Sequence, residues 1–379
     1  MRNVKTAPLE QGSRSSDGDL DPLAGVFKLG LSLKVFHVGS GQHDVDSDIA
    51  SLSRNVGDEH AADSFRKFRP DVGRPKVAIL LATYQGHKYR AQQRDSIAAQ
   101  IHHDWDVWAS DDGSQDDTYA ILEQYEKHWP LGRLSIHNEP TKGLTTNLFL
   151  LTCKASITSD YYAYANQDDI WEDDKLERAV QWLQTVSAHV PALYCGRTLL
   201  VDHHNGEIGV SPMFTKPPSF PDALMENSGL GNTMVFNSAA KVLLQEAAER
   251  IPVVSHNWWA YLLVSGCGGR VFYDAKSTLR YCQHENNLVG VISLLPALFK
   301  RICLLWRGRY KQWNDNNIVA LESMEHRFTT ENRSMLEQFA SARKMRLLPR
   351  LIHLKRSGID RQRLWDNLPL TAAAVLRKL

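Results

Sequence analysis

Val77-Ala78-Ile79-Leu80-Leu81-Ala82 is an unbroken apolar run. Such a run predicts a strand buried on both faces. Tyr84-Gln85-Gly86 interrupts it, and Tyr89, Ile97 and Ile101 then fall near helical spacing. Trp105 to Ser110 alternates as a second strand. Ser114 with Asp117 three residues on resembles a capping box, and Ile121, Leu122 and Tyr125 follow on one helical face. Leu134 to His137 predicts a third strand, Leu148, Leu151 and Ala155 a helix, and Tyr161 to Ala165 a fourth strand. Strands alternating with helices predict an α/β fold with a doubly wound, mostly parallel sheet. Ligands of such sheets bind beyond the carboxyl ends of the strands. Thr83-Tyr84, Asp111-Asp112 and Gln167-Asp168-Asp169 fall at those ends.

Outside this block the pattern changes. Residues 1–74 read as an extension, with a Gly, Ser and Asp-rich stretch from Gln11 to Asp21 that predicts disorder. Val26 to Val38 fits a strand or an amphipathic segment equally. Residues 75–290 hold the alternating block and then, from about 190, short strands mixed with helices. Residues 291–379 read as helical and basic. From Pro296 to Leu379 there are 17 Lys+Arg and 7 Asp+Glu, so 17 − 7 = +10. Leu294, Leu295, Leu298, Ile302 and Leu305 fall near helical spacing there, with Lys300, Arg301, Arg307, Arg309 and Lys311 close by. That pattern suits a peripheral helix on an anionic membrane or a core-facing helix with a solvated basic face.

Charge over the whole chain narrows the function classes. Lys+Arg 44 against Asp+Glu 43 gives a formal net charge of +1, which argues against a general nucleic-acid coat. The five cysteines are scattered, with no CxxC pair, which argues against a disulfide scaffold or zinc ribbon and suits a reducing cytoplasm. No apolar run reaches the roughly 18 residues of a membrane span, and the N-terminus lacks the apolar stretch of a signal peptide. The expected location is cytoplasmic.

Four constellations carry candidate chemistry. In Ser110-Asp111-Asp112-Gly113-Ser114 a carboxylate at a strand end can accept a hydrogen bond from a base edge, although a plain turn accounts for the same residues. In Asn166-Gln167-Asp168-Asp169-Ile170-Trp171 adjacent carboxylates repel each other unless a cation lies between them. One or two carboxylates plus substrate phosphates is the usual arrangement for Mg²⁺ or Mn²⁺. A solvated acidic helix start is the plainer account, since Asp173 and Asp174 follow. Ser255-His256-Asn257-Trp258-Trp259 predicts a helix that buries both tryptophans and puts His256 and Asn257 at its N-terminus. Tyr281-Cys282-Gln283-His284-Glu285 sets a histidine among polar residues.

Taken together, the stretches VAILLATYQGHKYRAQQRDSIAAQ, WASDDGSQDDT, NEPTKGLTTNLFLL, NQDDIWEDDKL, HNWWAYLL and LRYCQHENNLVG resemble glycosyltransferase family 2 over about residues 75–290. Within that family the look is of bacterial rhamnosyltransferase-like members that build cell-surface polysaccharide. The resemblance implies a GT-A, Rossmann-like nucleotide-sugar domain with a mixed acceptor region and a helical C-terminal tail. It implies that Ala82, Thr83 and Tyr84 line the nucleotide pocket, that Asp112 binds the pyrimidine, and that Asp168 with His284 holds Mg²⁺ or Mn²⁺ on the donor diphosphate. Gly229 and Gly231 fall in the family's acceptor loop. Asn166 replaces the first carboxylate of the DxD-type motif, where an amide can still hydrogen-bond a ribose. Asn257 replaces the catalytic aspartate, and an amide cannot take a proton from the acceptor hydroxyl. His256 and Asp169 are the neighbouring substitutes for that base.

The implied activity is inverting transfer of a sugar, dTDP-rhamnose being the first choice, from a UDP or dTDP donor to a saccharide or lipid-linked acceptor at the inner membrane face. The alternative is a catalytically silent nucleotide-sugar-binding partner of an assembly complex. A sugar nucleotidyltransferase lacks support, since no Gly-rich phosphate loop with a following basic residue lies near the first strand.

Overall fold

The computed structural model describes residues 74–87, 90–138, 143–202, 204–211, 213–214, 216–225, 231–248, 255–282 and 309–345. The alternating block forms β1 (Val77–Thr83), α1 (Arg90–Ala98), β2 (Trp105–Asp111), α2 (Thr118–His128), β3 (Leu134–Asn138), α3 (Leu144–Cys153) and β4 (Tyr161–Asn166). There follow β5 (Asp169–Trp171), α4 (Lys175–Leu183), β6 (Ala192–Val201), β7 (Glu207–Val210), α5 (Phe220–Met225), a 3-10 turn at Gly231–Thr233, β8 (Val235–Asn237), α6 (Ser238–Ala248), α7 (His256–Gly266), β9 (Arg270–Cys282), α8 (Arg309–Ser323) and α9 (Thr330–Lys344). Residues 1–73, the stretch 283–308 that holds most of the proposed basic helix, and 346–379 lie outside the described residues.

One nine-stranded sheet has the order β3-β2-β1-β4-β8-β6-β9-β5, with β7 on β6. β1 pairs in parallel with β2 and β4, and β2 with β3. β8 runs antiparallel between β4 and β6, while β9 returns parallel to β6. β1 lacks polar alternation because both its faces are covered. Val77, Ile79 and Leu81 pack with Ile97, Leu122, Leu176 and Val180, under α1, α2 and α4. Ala78, Leu80 and Ala82 face the other layer, with Leu148, Trp258, Trp259, Leu263, Leu321 and Phe339. α8 and α9 are thus part of the same core as the sheet. Asn332 caps α7 through its side-chain amide, donating to the Ser265 and Gly266 carbonyls at 3.1 and 3.0 Å.

Several local expectations give way. Ile101 lies beyond α1 and is 46% exposed. Gln100 takes the buried place instead, donating to the Glu172 carbonyl at 2.7 Å and accepting from the Leu176 N–H at 3.0 Å. Ala155 lies beyond α3 and is exposed. The capping box does not form: the Ser114 hydroxyl donates to Asp111 at 2.7 Å, and Asp116 accepts the Thr118 N–H at 3.1 Å. Asp169 opens no helix, because Asp169–Trp171 pairs antiparallel with Leu279–Tyr281. β9 is 13 residues long, so the region after 190 is not made of short strands alone.

Candidate functional site

The carboxyl ends of β1, β2 and β4 lie side by side, since Thr83 pairs with Asp111 and Ala82 with Asn166. Asp111 ends β2 and Asp112 lies just past it, and the two carboxylates meet different partners. Asp111 is buried and accepts from the Thr83 hydroxyl at 2.8 Å and from the Ser114 N–H at 2.7 Å. Asp112 is half-buried and accepts from the Gly143 N–H at 2.9 Å, at the start of α3. The nucleotide-pocket expectation narrows accordingly. The Ala82 methyl belongs to the core and the Thr83 hydroxyl is engaged by Asp111, so neither offers an exposed side chain. Tyr84, 45% exposed, is the open member of the three. Asn166 is half-buried, and its carbonyl accepts from the Gln93 side chain.

Gln167 and Asp168 cross from β4 to β5, with Asp168 half-buried. The pairing of Asp169 with Tyr281 brings the end of β9 to this corner. Burial pushes the Cys282 thiol up, and the negative charges of Asp168, Asp169 and Asp202 push it further. Among the described residues no group of three His, Cys, Asp or Glu side chains could hold a metal. The described residues thus supply no all-protein metal cage. His284 lies outside the described residues.

The N-terminus of α7 departs from expectation. His256 is 3% exposed and packs edge-on against Tyr164, ring centroids 5.0 Å apart. Neither ring nitrogen has a hydrogen-bond partner among the described residues. Burial pushes its pKa down to about 3. Burial in this setting disfavours the protonated imidazole, which weighs against His256 as a substitute base. Asn257 is also buried, its amide oxygen accepting from the Ser255 hydroxyl and from the Trp258 N–H at 2.9 Å. Gly231 packs directly on it, because a Cβ there would stand 2.8 Å from the Asn257 Cβ. The fold thus brings together Gly231 and Asn257, which are distant in sequence. Gly229 lies outside the described residues.

Asp169, the other substitute base, is drawn into the structure as well. It is fully buried and accepts from the Asn232 side-chain amide at 2.5 Å. The Asn232 carbonyl accepts from the Lys175 ammonium at 3.1 Å, which sits 3.3 Å from the Trp171 ring centroid. Burial holds the Lys175 pKa well below its ordinary value, and Asp169 offsets part of that. Asp169, Asn232 and Lys175 form a support beneath the Gly231 turn. Only spacing signalled Lys175 in the sequence: four residues before Ala179, it shares the buried face of α4. Removing the Asp169 carboxylate leaves the buried Asn232 amide without its acceptor and the buried Lys175 without the charge that offsets part of its desolvation. Asp169→Ala is expected to lower unfolding free energy by about 3–5 kcal/mol, and Asp169→Asn by less. Denaturant unfolding checks this, and a loss within about 1 kcal/mol for Asp169→Ala would show that the pair is not coupled.

The order β3-β2-β1-β4 followed by an antiparallel β8, with polar loops at the carboxyl ends, makes this a mixed α/β fold of GT-A type. Residues 79–251 match the model of glycosyl transferase family 2. The chain carries a domain of that family and is a glycosyltransferase. A dTDP-rhamnosyl transferase, RfbG, of Shigella flexneri is 28% identical over 246 residues, 61% of this chain and 81% of that protein. A glycosyltransferase of Rickettsia typhi is 22% identical over 269 residues, 68% of this chain and 78% of that one. The crystal structure of S. aureus TarS with UDP is 14% identical, covers 74% of this chain and 90% of its own, and has a TM-score of 0.46. No helix among the described residues is long and apolar enough to cross a membrane.

Proposed function

We propose that the chain transfers a sugar, with inversion, from a UDP or dTDP donor to a saccharide acceptor, lipid-linked and presented at the inner membrane face. The observation that carries the reading is the convergence of Tyr84, Asp112, Asn166 and Asp168 at adjacent strand ends, beside the packed pair Gly231 and Asn257. In this reading Tyr84 and Asp112 hold the pyrimidine and Asn166 the ribose. Asp168, with His284, holds Mg²⁺ or Mn²⁺. A cation there would neutralise charge developing on the departing diphosphate. The loop of Gly229 and Gly231 seats the acceptor, and Asn257 orients its hydroxyl. The likeness to a dTDP-rhamnosyl transferase supports dTDP-rhamnose as the first donor to try.

Asn257 favours a second reading, a catalytically silent partner that keeps the donor pocket, because an amide in place of a carboxylate removes the base. A thermal-shift screen of nucleotide-sugars with and without Mn²⁺ tests what both readings share. A ligand that binds only the native state must raise stability by mass action. The expected result is a rise with a pyrimidine diphosphate sugar that grows with Mn²⁺. A rise with purine nucleotides alone, or with none, would remove the donor assignment.

A further inference from the structure

The residue between Asn166 and Asp168 has a contact set that the donor reading does not use. The Tyr84 N–H donates to Gln167 Oε1 at 2.8 Å, and Gln167 Nε2 donates to the Tyr84 carbonyl at 2.7 Å. A side chain thus pairs with both backbone groups of one residue, as a neighbouring strand would. Only a primary amide presents an acceptor and a donor side by side in this way. A carboxylate offers acceptors alone, and a lysine donors alone. Gly86 leaves the space that this requires: a Cβ there would lie 2.3 Å from Gln167 Oε1 and 2.5 Å from its Cδ. The opposite side of the same loop is tied to the segment leading into α2. The Gln85 N–H donates to the Ser114 hydroxyl at 2.9 Å, the Gly86 N–H to the Thr118 hydroxyl at 3.1 Å, and the His87 N–H to Asp116 at 3.2 Å. Gln85 holds a left-handed φ of 47°, a conformation that such bonds must maintain in a residue with a side chain.

We infer that Gln167 is a positioning residue that locks the Tyr84–Gly86 loop to the segment carrying Asp168, so that the two ends of a nucleoside diphosphate meet preset groups. The inference rests on the donor reading above. Its physical content is preorganisation: a loop already held in its binding shape loses less freedom when the ligand arrives. Gln167 itself need not touch the ligand. Each net hydrogen bond of this kind is modest, and losing two from one loop shifts its ordering, and hence ligand affinity, by about tenfold or more.

The test compares the native chain with Gln167→Met, of similar length but without either polar group. Two measurements are made: hydrogen exchange at the Tyr84 amide without ligand, and UDP titration by calorimetry with and without Mn²⁺. The expected result is exchange about tenfold faster or more, and a UDP Kd raised about tenfold in both metal conditions, with little change in thermal midpoint. A merely structural role would move the midpoint and leave UDP affinity of the folded protein alone. Unchanged exchange, or faster exchange with native UDP affinity, overturns the inference. If the native chain binds neither UDP nor dTDP, the donor reading fails and takes the nucleotide part of the inference with it. The exchange arm then still separates a loop held by Gln167 from one that is not. Gly86→Ala adds an internal check. It should weaken UDP binding in the native background and far less in Gln167→Ala, where the amide no longer fills the space. Equal losses in both backgrounds would also overturn the inference.

Discussion

Replacing Asn257 by aspartate is expected to raise turnover by about 10²–10⁴-fold, the usual contribution of a positioned general base. The native amide can orient the acceptor hydroxyl but cannot take its proton, so the native chain is expected to be a slow transferase. The surroundings suit a carboxylate. The Ser255 hydroxyl and the Trp258 N–H already donate to the amide oxygen, and both bonds survive the change. The position is the first turn of α7, where the helix dipole favours negative charge. Burial acts the other way, raising the proton affinity of a carboxylate, which moves it toward the range of an effective base. The two nearest alternatives are weakened by their own environments, His256 by burial without a partner and Asp169 by its engagement with Asn232. Donor affinity should change little. Steady-state kinetics on both forms with dTDP-rhamnose and a matched acceptor decide the matter. A fast native protein that slows on Asn257→Asp would place the base elsewhere. Two inert forms that still bind donor would favour the silent partner.

Asp168→Ala is expected to abolish the gain in UDP or dTDP affinity that Mn²⁺ confers. Asp168 is the half-buried carboxylate of the β4–β5 crossing, beside the end of β9. Without it no described carboxylate of the crossing remains to share a cation with a diphosphate, since Asp169 is fully buried. Asp112→Ala should weaken nucleotide binding whether or not metal is present. Part of that loss comes through the loop, because Asp112 also accepts the Gly143 N–H. Asp112→Asn keeps an acceptor for Gly143 and separates the two contributions. Calorimetry with unchanged, metal-enhanced affinity in Asp168→Ala would take Asp168 out of the site.

The order of the first four strands was legible along the chain for a local reason. A strand buried on both faces must be largely apolar, and β1 obeys that rule, while β2 beside it keeps an alternating pattern with Asp106 and Ser110 among its apolar residues. Their polar ends stood out against it, so Thr83-Tyr84, Asp111-Asp112 and Gln167-Asp168-Asp169 were marked by residue type and position, and the family resemblance alone singled out Asp112 and Asp168. Periodicity likewise predicted that Trp258 and Trp259 are buried. What periodicity does not carry is the partner of a polar residue. Asp111 and Asp112 are identical in sequence terms, and only the end of β2 against β1 engages Asp111 with Thr83 and leaves Asp112, one residue past the strand, half-buried. His256 was a candidate base by residue type alone, and its burial against Tyr164, which weighs against that role, is a tertiary feature. Asp169, Asn232 and Lys175 lie up to 63 residues apart, so their mutual support exists only once the Gly231 turn folds against β5 and α4. Local burial patterns are short-range and survive in the sequence, whereas charge compensation and hydrogen-bond pairing are long-range and are decided by tertiary contact.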